Sequence, residues 1–239
     1  MKLLPLSTIG RKILMAVTGL LLIGFLCSHL AGNLLLYRGT QDFNLYAHKL
    51  VSMGPLLYVA EIILLLLFLL HAVDAIMLLK LEKQARPQNY DIRKTQGKST
   101  LYSRTMIITG LLVLTFVVIH VATLKFNVGG PENKYVTEVA EGAFIPASVE
   151  NEHAILDLKY RVESFFSNPL WVGFYVIAMA GIGLHLAHAL QSAFRTIGMS
   201  DRCTLDVMKR ISYLLAVVIA GGFASIPLFI FFSNQGGAN

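Results

Sequence analysis

The sequence predicts an all-α integral membrane protein with five transmembrane helices and a cytoplasmic N-terminus, on three observations. The first is composition: 55% of the 239 residues are hydrophobic and only 14% are charged, with a mean hydropathy of +0.64, whereas a soluble domain carries about 25% charged residues. The second is length, because five apolar runs each reach the ~20 residues that a helix needs to cross a bilayer. The third is where the basic residues fall. Fourteen of the twenty lie before the first run, between the second and third, or between the fourth and fifth, and the positive-inside rule puts those three segments in the cytoplasm.

The helices are expected at about 11–37, 56–80, 102–125, 169–196 and 207–232, in a single membrane domain spanning 1–239. Arg11 and Lys12 mark the inner end of the first, whose apolar stretch runs too far for the core of a cleaved signal peptide. Only Thr115, His120 and Thr123 interrupt the apolar run from Val113 to Leu124, and Pro227 falls near the end of the fifth helix. No repeat, low-complexity tract or second domain is read. The loop from Lys80 to Thr100 is polar and broken by Pro87 and Gly97, a connector suited to resting on a soluble partner. Between Lys125 and Asn168, on the opposite side, Gly129-Gly130-Pro131 signals a turn and a short interfacial helix is expected near Leu156 to Phe166. Cys27 and Cys203 have no metal-ligand spacing and read as structural. The net charge of +6 is accounted for by topology, and no nucleic-acid partner is expected.

Five of the seven histidines fall inside the spans: His29, His71, His120, His185 and His188. Any one of them could simply hydrogen-bond a neighbouring helix. Ionisable groups in a bilayer are costly, however, and they tend to be functional. Their depths are more telling than their number. At 1.5 Å per residue, His29 and His120 lie roughly 24 and 22 Å from the inner ends of the first and third helices, and His71 and His185 roughly 12 and 14 Å from the inner ends of the second and fourth. In an up-down bundle of the first four helices, the first and third are diagonal partners, as are the second and fourth. Each level then offers two imidazoles facing across the core, the arrangement that two six-coordinate haems require. Gly19, Gly24, Gly32, Gly110, Gly181 and Gly183 leave room for porphyrin, although ordinary helix packing also favours small residues. Arg11, Lys12, Arg93, Lys94 and especially Arg104 are candidates to pair with haem propionates near the inner level.

The stretches STIGRKILMAVTGLLLIGFLCSHLAGN (7–33), EIILLLLFLLHAVDA (61–75), YSRTMIITGLLVLTFVVIH (102–120) and HLAHALQSAFRTIG (185–198) together resemble the single-chain, five-helix, di-haem cytochrome b subunit of succinate dehydrogenases and fumarate reductases. The resemblance covers the first four helices. It implies two haem b groups, with His29 and His120 on the distal iron and His71 and His185 on the proximal iron. It also implies a flavoprotein subunit and an iron–sulfur subunit on the cytoplasmic side, and a quinone substrate with menaquinone as the expected type. The location implied is the cell inner (cytoplasmic) membrane. His188, three residues beyond His185, is expected to bond a propionate or a helix neighbour, or to serve as the alternative ligand. Gly183 stands where one branch of the family has a glutamate tied to proton transfer, so that route is not carried over.

Two alternatives stay open at this stage: a di-haem anchor of another quinone-linked dehydrogenase, of hydrogenase or formate dehydrogenase type, and a haem-free proton-coupled transporter using the histidines as a relay. Beyond the histidines, the spans offer a relay only Glu61, Asp74 and scattered hydroxyls. Glu61 lies ten residues before His71, roughly 15 Å further out, at the level of the outer histidines. It is the candidate group for exchanging a proton with quinone, unless it merely reaches water or Tyr58. His48 is the next external candidate.

Overall fold

A computed structural model describes residues 7–85, 101–138, 144–148, 154–199 and 201–236, with the side chains of 101–104, 138, 144–145 and 236 outside the described set. Helix α1 (Thr8–Asn33) is capped by Ser7, whose hydroxyl accepts from Gly10 N at 3.1 Å, satisfying one of the orphan amides of its first turn. It continues into a 3-10 turn, Leu34–Arg38. Gly39 then adopts φ +117°, a conformation open to glycine for want of a Cβ, and redirects the chain into α2 (Thr40–Ser52). The sequence reading assigned no element there. This helix is short and mostly polar, with Asp42 in its first turn and Lys49 in its last, both signs favoured by the helix dipole.

Helix α3 (Pro55–Ala85) starts at a proline, and α4 (Leu101–His120) ends in a π-helical turn, Val121–Lys125. A small antiparallel sheet follows, with β1 (Tyr135–Glu138) between β2 (Phe144–Ala147) and β3 (Ile155–Leu156); it too was not foreseen. Helix α5 (Leu158–Phe166) matches the expected external helix. Helix α6 (Pro169–Thr196) is capped by Asn168 and α7 (Arg202–Gly236) contains Pro227. The last helix begins five residues earlier than hydropathy suggested because Asp201 accepts from Thr204 N at 2.8 Å, which caps a polar first turn that an apolar window overlooks.

Among the described residues, five helices are long and apolar enough to cross a membrane: Thr8–Arg38, Pro55–Ala85, Thr105–Lys125, Pro169–Thr196 and Arg202–Gln235. The chain is a multi-pass membrane protein, predominantly α-helical. Helix α6 is its centre, packed against α7, α4 and α1, while α3 rests chiefly on α1. Buried residues make up 44% of the apolar window of α6 and 6% of that of α3. Val172, Tyr175, Met179, Ile182 and Leu186 recur every three or four residues along α6, forming one stripe that meets Ile219, Ile226 and Ile230 of α7 in one core cluster. Ile62, Leu65 and Leu66 of α3 stand exposed, at no cost where the surroundings are lipid tails as apolar as leucine.

The outer end is closed by α2 and α5. Asn44, fully buried, donates to Asp157 Oδ1 at 2.9 Å and accepts from Lys159 N at 3.0 Å, so one side chain ties α2 to the start of α5. The same Asp157 oxygen caps Tyr160 N at 3.0 Å. Phe165 stacks on Trp171 at 4.7 Å and Phe166 meets Tyr175 edge-on at 4.9 Å, locking α5 over the first turns of α6.

Candidate functional site

The outer pair of histidines meets. His29 of α1 and His120 of α4 have ring centres 5.9 Å apart, with planes at 88°. Both rings are flanked by an aromatic residue one turn earlier on their own helix: Phe25 stacks on His29 at 5.1 Å, and Phe116 lies 5.3 Å from His120. Tyr175 of α6 brings its hydroxyl to 3.3 Å from His120 Nδ1. The α5 cap holds that tyrosine, so the external segment positions a group at the site. Asn33 reaches back to the His29 ring at 3.5 Å while donating to the His29 carbonyl at 2.8 Å.

The inner pair is built differently. His71 of α3 and His185 of α6 lie within electrostatic range of each other, and each turns its Nδ1 to a threonine on the adjacent helix of its hairpin. Thr18 Oγ1 lies 3.2 Å from His71 Nδ1, and Thr109 Oγ1 lies 3.2 Å from His185 Nδ1. A glycine follows each threonine. A Cβ on Gly19 would stand 3.2 Å from His71 Cε1, and one on Gly110 would stand 3.6 Å from His185 Cε1. These glycines thus give imidazoles, as well as helices, their room.

These matches expose an internal repeat that the linear reading missed. TGLLLIGFLCSH (18–29) and TGLLVLTFVVIH (109–120) share Thr-Gly-Leu-Leu, a phenylalanine seven residues after the threonine and a histidine eleven after it. The return helices begin Pro55-Leu56 and Pro169-Leu170, and each carries its histidine sixteen residues after the proline and an alanine four residues beyond that. The α1–α3 and α4–α6 hairpins are two versions of one unit. Leucine-rich helices resemble each other by default, which hid the repeat; the threonine–histidine contacts single out the positions that matter.

Of the remaining expected site residues, His188 is half-buried, within electrostatic reach of His185 and Arg195. Glu61 is ion-paired with Lys125 at the end of the α4 turn, both side chains part-exposed, so its partner is a lysine from across the chain rather than Tyr58. Arg11 holds Asp74 Oδ1 at 2.8 Å, with both side chains buried. Asp74 Oδ2 is buried with no hydrogen-bond partner among the described residues. The side chain of Arg104 and all of Arg93 and Lys94 lie outside the described residues. His48 is exposed on α2.

Among the described residues, no three His, Cys, Asp or Glu side chains gather as a chelating group for a bare ion. A structural zinc takes four protein ligands. Two imidazoles from opposed helices instead form the donor set completed by an iron porphyrin, which brings four nitrogens of its own. The His29–His120 pair, with ring centres 5.9 Å apart, offers donors of that kind, and a haem there would be held by those two imidazoles. Comparison with protein-family models, with curated proteins and with solved structures finds no match to this chain.

Proposed function

We propose that this chain is the membrane-anchor cytochrome b subunit of a succinate:quinone oxidoreductase or quinol:fumarate reductase. In this reading it carries electrons between an iron–sulfur subunit and the quinone pool through two b haems. The observation that carries the reading is the pairing of His29 with His120 across two helices at 5.9 Å. The resemblance of the four histidine-bearing stretches to that family supplies the partners.

In this proposal His29 and His120 hold the distal iron, and His71 and His185 hold the proximal iron nearer the basic end. When bound, the haems supply one-electron redox chemistry. The chain's own residues do the rest. The imidazoles are held by Thr18, Thr109 and Tyr175, and the apolar walls keep water from the rings. Glu61, released from Lys125, exchanges a proton with quinone at the outer level. Arg104 and His188 are the candidates for the propionates. The basic end faces the cytoplasm and seats the iron–sulfur and flavoprotein subunits, which perform the dicarboxylate chemistry. The membrane is the cell inner membrane, and menaquinone is the proposed quinone.

A reduced-minus-oxidised visible spectrum with pyridine haemochrome quantification on the chain in native membranes tests the proposal. Low-spin, bis-histidine b-type spectra with two haems per chain are expected. Fewer than one haem per chain would overturn it and leave a haem-free histidine relay as the reading to pursue.

A further inference from the structure

The two threonine–histidine contacts have a defined polarity. Thr18 Oγ1 donates its one hydrogen to the backbone, with Leu14 O at 2.8 Å and Met15 O at 3.2 Å, and Thr109 Oγ1 does the same to Thr105 O at 3.0 Å and Met106 O at 3.2 Å. Such back-bonding to the preceding turn is the usual state of a threonine inside a helix. A hydroxyl has one hydrogen and two lone pairs. With the hydrogen given to the backbone, only lone pairs remain for the ring, so Nδ1 must be the donor. Both threonines are buried, at 2% and 5% exposure, so water offers no alternative partner.

We infer that Thr18 and Thr109 are positioning residues that hold His71 and His185 in the Nδ1–H tautomer, leaving each Nε2 lone pair free for one metal. The inference rests on the di-haem reading for what that metal is. A metal-bound imidazole depends on the group that receives its other N–H, for both orientation and basicity. The two halves of the molecule supply that group identically, at equal distances, from the residue eleven positions before each outer histidine. The inner histidines thus have their acceptors on neighbouring helices. The outer level does without such threonines: His120 has Tyr175, and His29 has the Asn33 amide.

An acceptor on Nδ1–H raises the electron density that imidazole gives to iron and favours the ferric state. Removing it from either side therefore raises the midpoint potential of the inner haem. The test is Thr18→Val and Thr109→Val, with Thr18→Ala and Thr109→Ala as smaller replacements that cannot overpack and Thr→Ser at each site as the conservative restoration. All are made in the full complex in membranes and read by redox-poised optical and EPR spectra. Each Val or Ala variant is expected to shift the inner component upward by on the order of tenfold in its redox equilibrium, about 59 mV for one electron, or to lose that haem alone. The outer component stays in place and Ser keeps the wild-type values. An unmoved inner component, an equal shift of both components, or Ser variants that behave like Ala would overturn the inference. Wild-type complex without b haem would instead overturn the di-haem reading, so the two failures are distinguishable.

Discussion

The α1–α3 and α4–α6 hairpins carry the same threonine, glycine, phenylalanine, proline and histidine at matching positions, yet they are braced by opposite means. In the first, α3 is nearly bare to its surroundings and is held to α1 by the buried Arg11–Asp74 ion pair. In the second, α6 is enclosed by α4, α1 and α7, and Ser212 of α7 donates to the Leu186 carbonyl at 2.7 Å, one residue from His185. Where Asp74 stands three residues after His71, His188 stands three after His185. Six residues after the proline, the first hairpin has Glu61 and the second Tyr175. The threonine, glycine and phenylalanine common to both halves lie against the imidazole rings, while the residues that differ bring each half its own partners, Asp74 for Arg11 in the first and Tyr175 for His120 in the second.

The largest effects test what the halves share. On the proposed di-haem reading, His71→Ala or His185→Ala is expected to remove the inner haem, and His29→Ala or His120→Ala the outer one, each halving the haemochrome yield and deleting the same redox component within a pair. If His188→Ala deletes a component and His185→Ala does not, the equivalence of His71 and His185 fails.

The next effect tests the brace peculiar to the first half. Arg11→Ala leaves a carboxylate buried without its countercharge, an arrangement that costs about 3–5 kcal/mol. Ser212→Ala in the second half removes a single neutral hydrogen bond, costing about 1 kcal/mol. Thermal inactivation in detergent should rank Arg11→Ala far below Ser212→Ala. Equal losses would show that the two hairpins are held alike.

Glu61 tests the outer asymmetry. On the proposed function, Glu61→Gln should leave both haem spectra and dicarboxylate oxidation with artificial acceptors intact while slowing quinone-linked turnover on the order of 100-fold, the scale of a lost general acid–base group. Unchanged turnover removes Glu61 from the quinone site and leaves its ion pair with Lys125 as a strut.

The smallest effect sharpens the equivalence of the two glycines. At Gly19 a methyl would crowd His71 at 3.2 Å, and at Gly110 it would make ordinary contact with His185 at 3.6 Å. Gly19→Ala should therefore perturb the inner-haem EPR signal. Gly110→Ala should leave it in place and gain up to about 1 kcal/mol in helix propensity. Like behaviour would mean that the two rings have equal room.

Sequence alone determined the five spanning helices, because each is a stretch of about 20 predominantly apolar residues, the length a helix needs to cross a bilayer, and hydropathy is a local sum. It also sorted the histidines into two levels, since helical rise is fixed at 1.5 Å per residue and depth follows from counting. The small external helix near Leu156 to Phe166 was also expected from sequence, and α5 (Leu158–Phe166) matches it. What it did not reveal was α2, the three-stranded sheet and the partners of every polar side chain. Helix α2 is too short and polar to register as a periodic apolar segment, and its seat depends on Asn44 meeting Asp157, more than a hundred residues away. Asp74 and Glu61 look alike as isolated carboxylates in apolar runs; only the fold gives one of them Arg11 and the other Lys125. The same holds for Thr18 and Thr109, ordinary helix residues by sequence. They become ring partners because hairpin packing brings α1 against α3 and α4 against α6, and hydrogen bonds are decided by a few ångströms in space rather than by spacing along the chain.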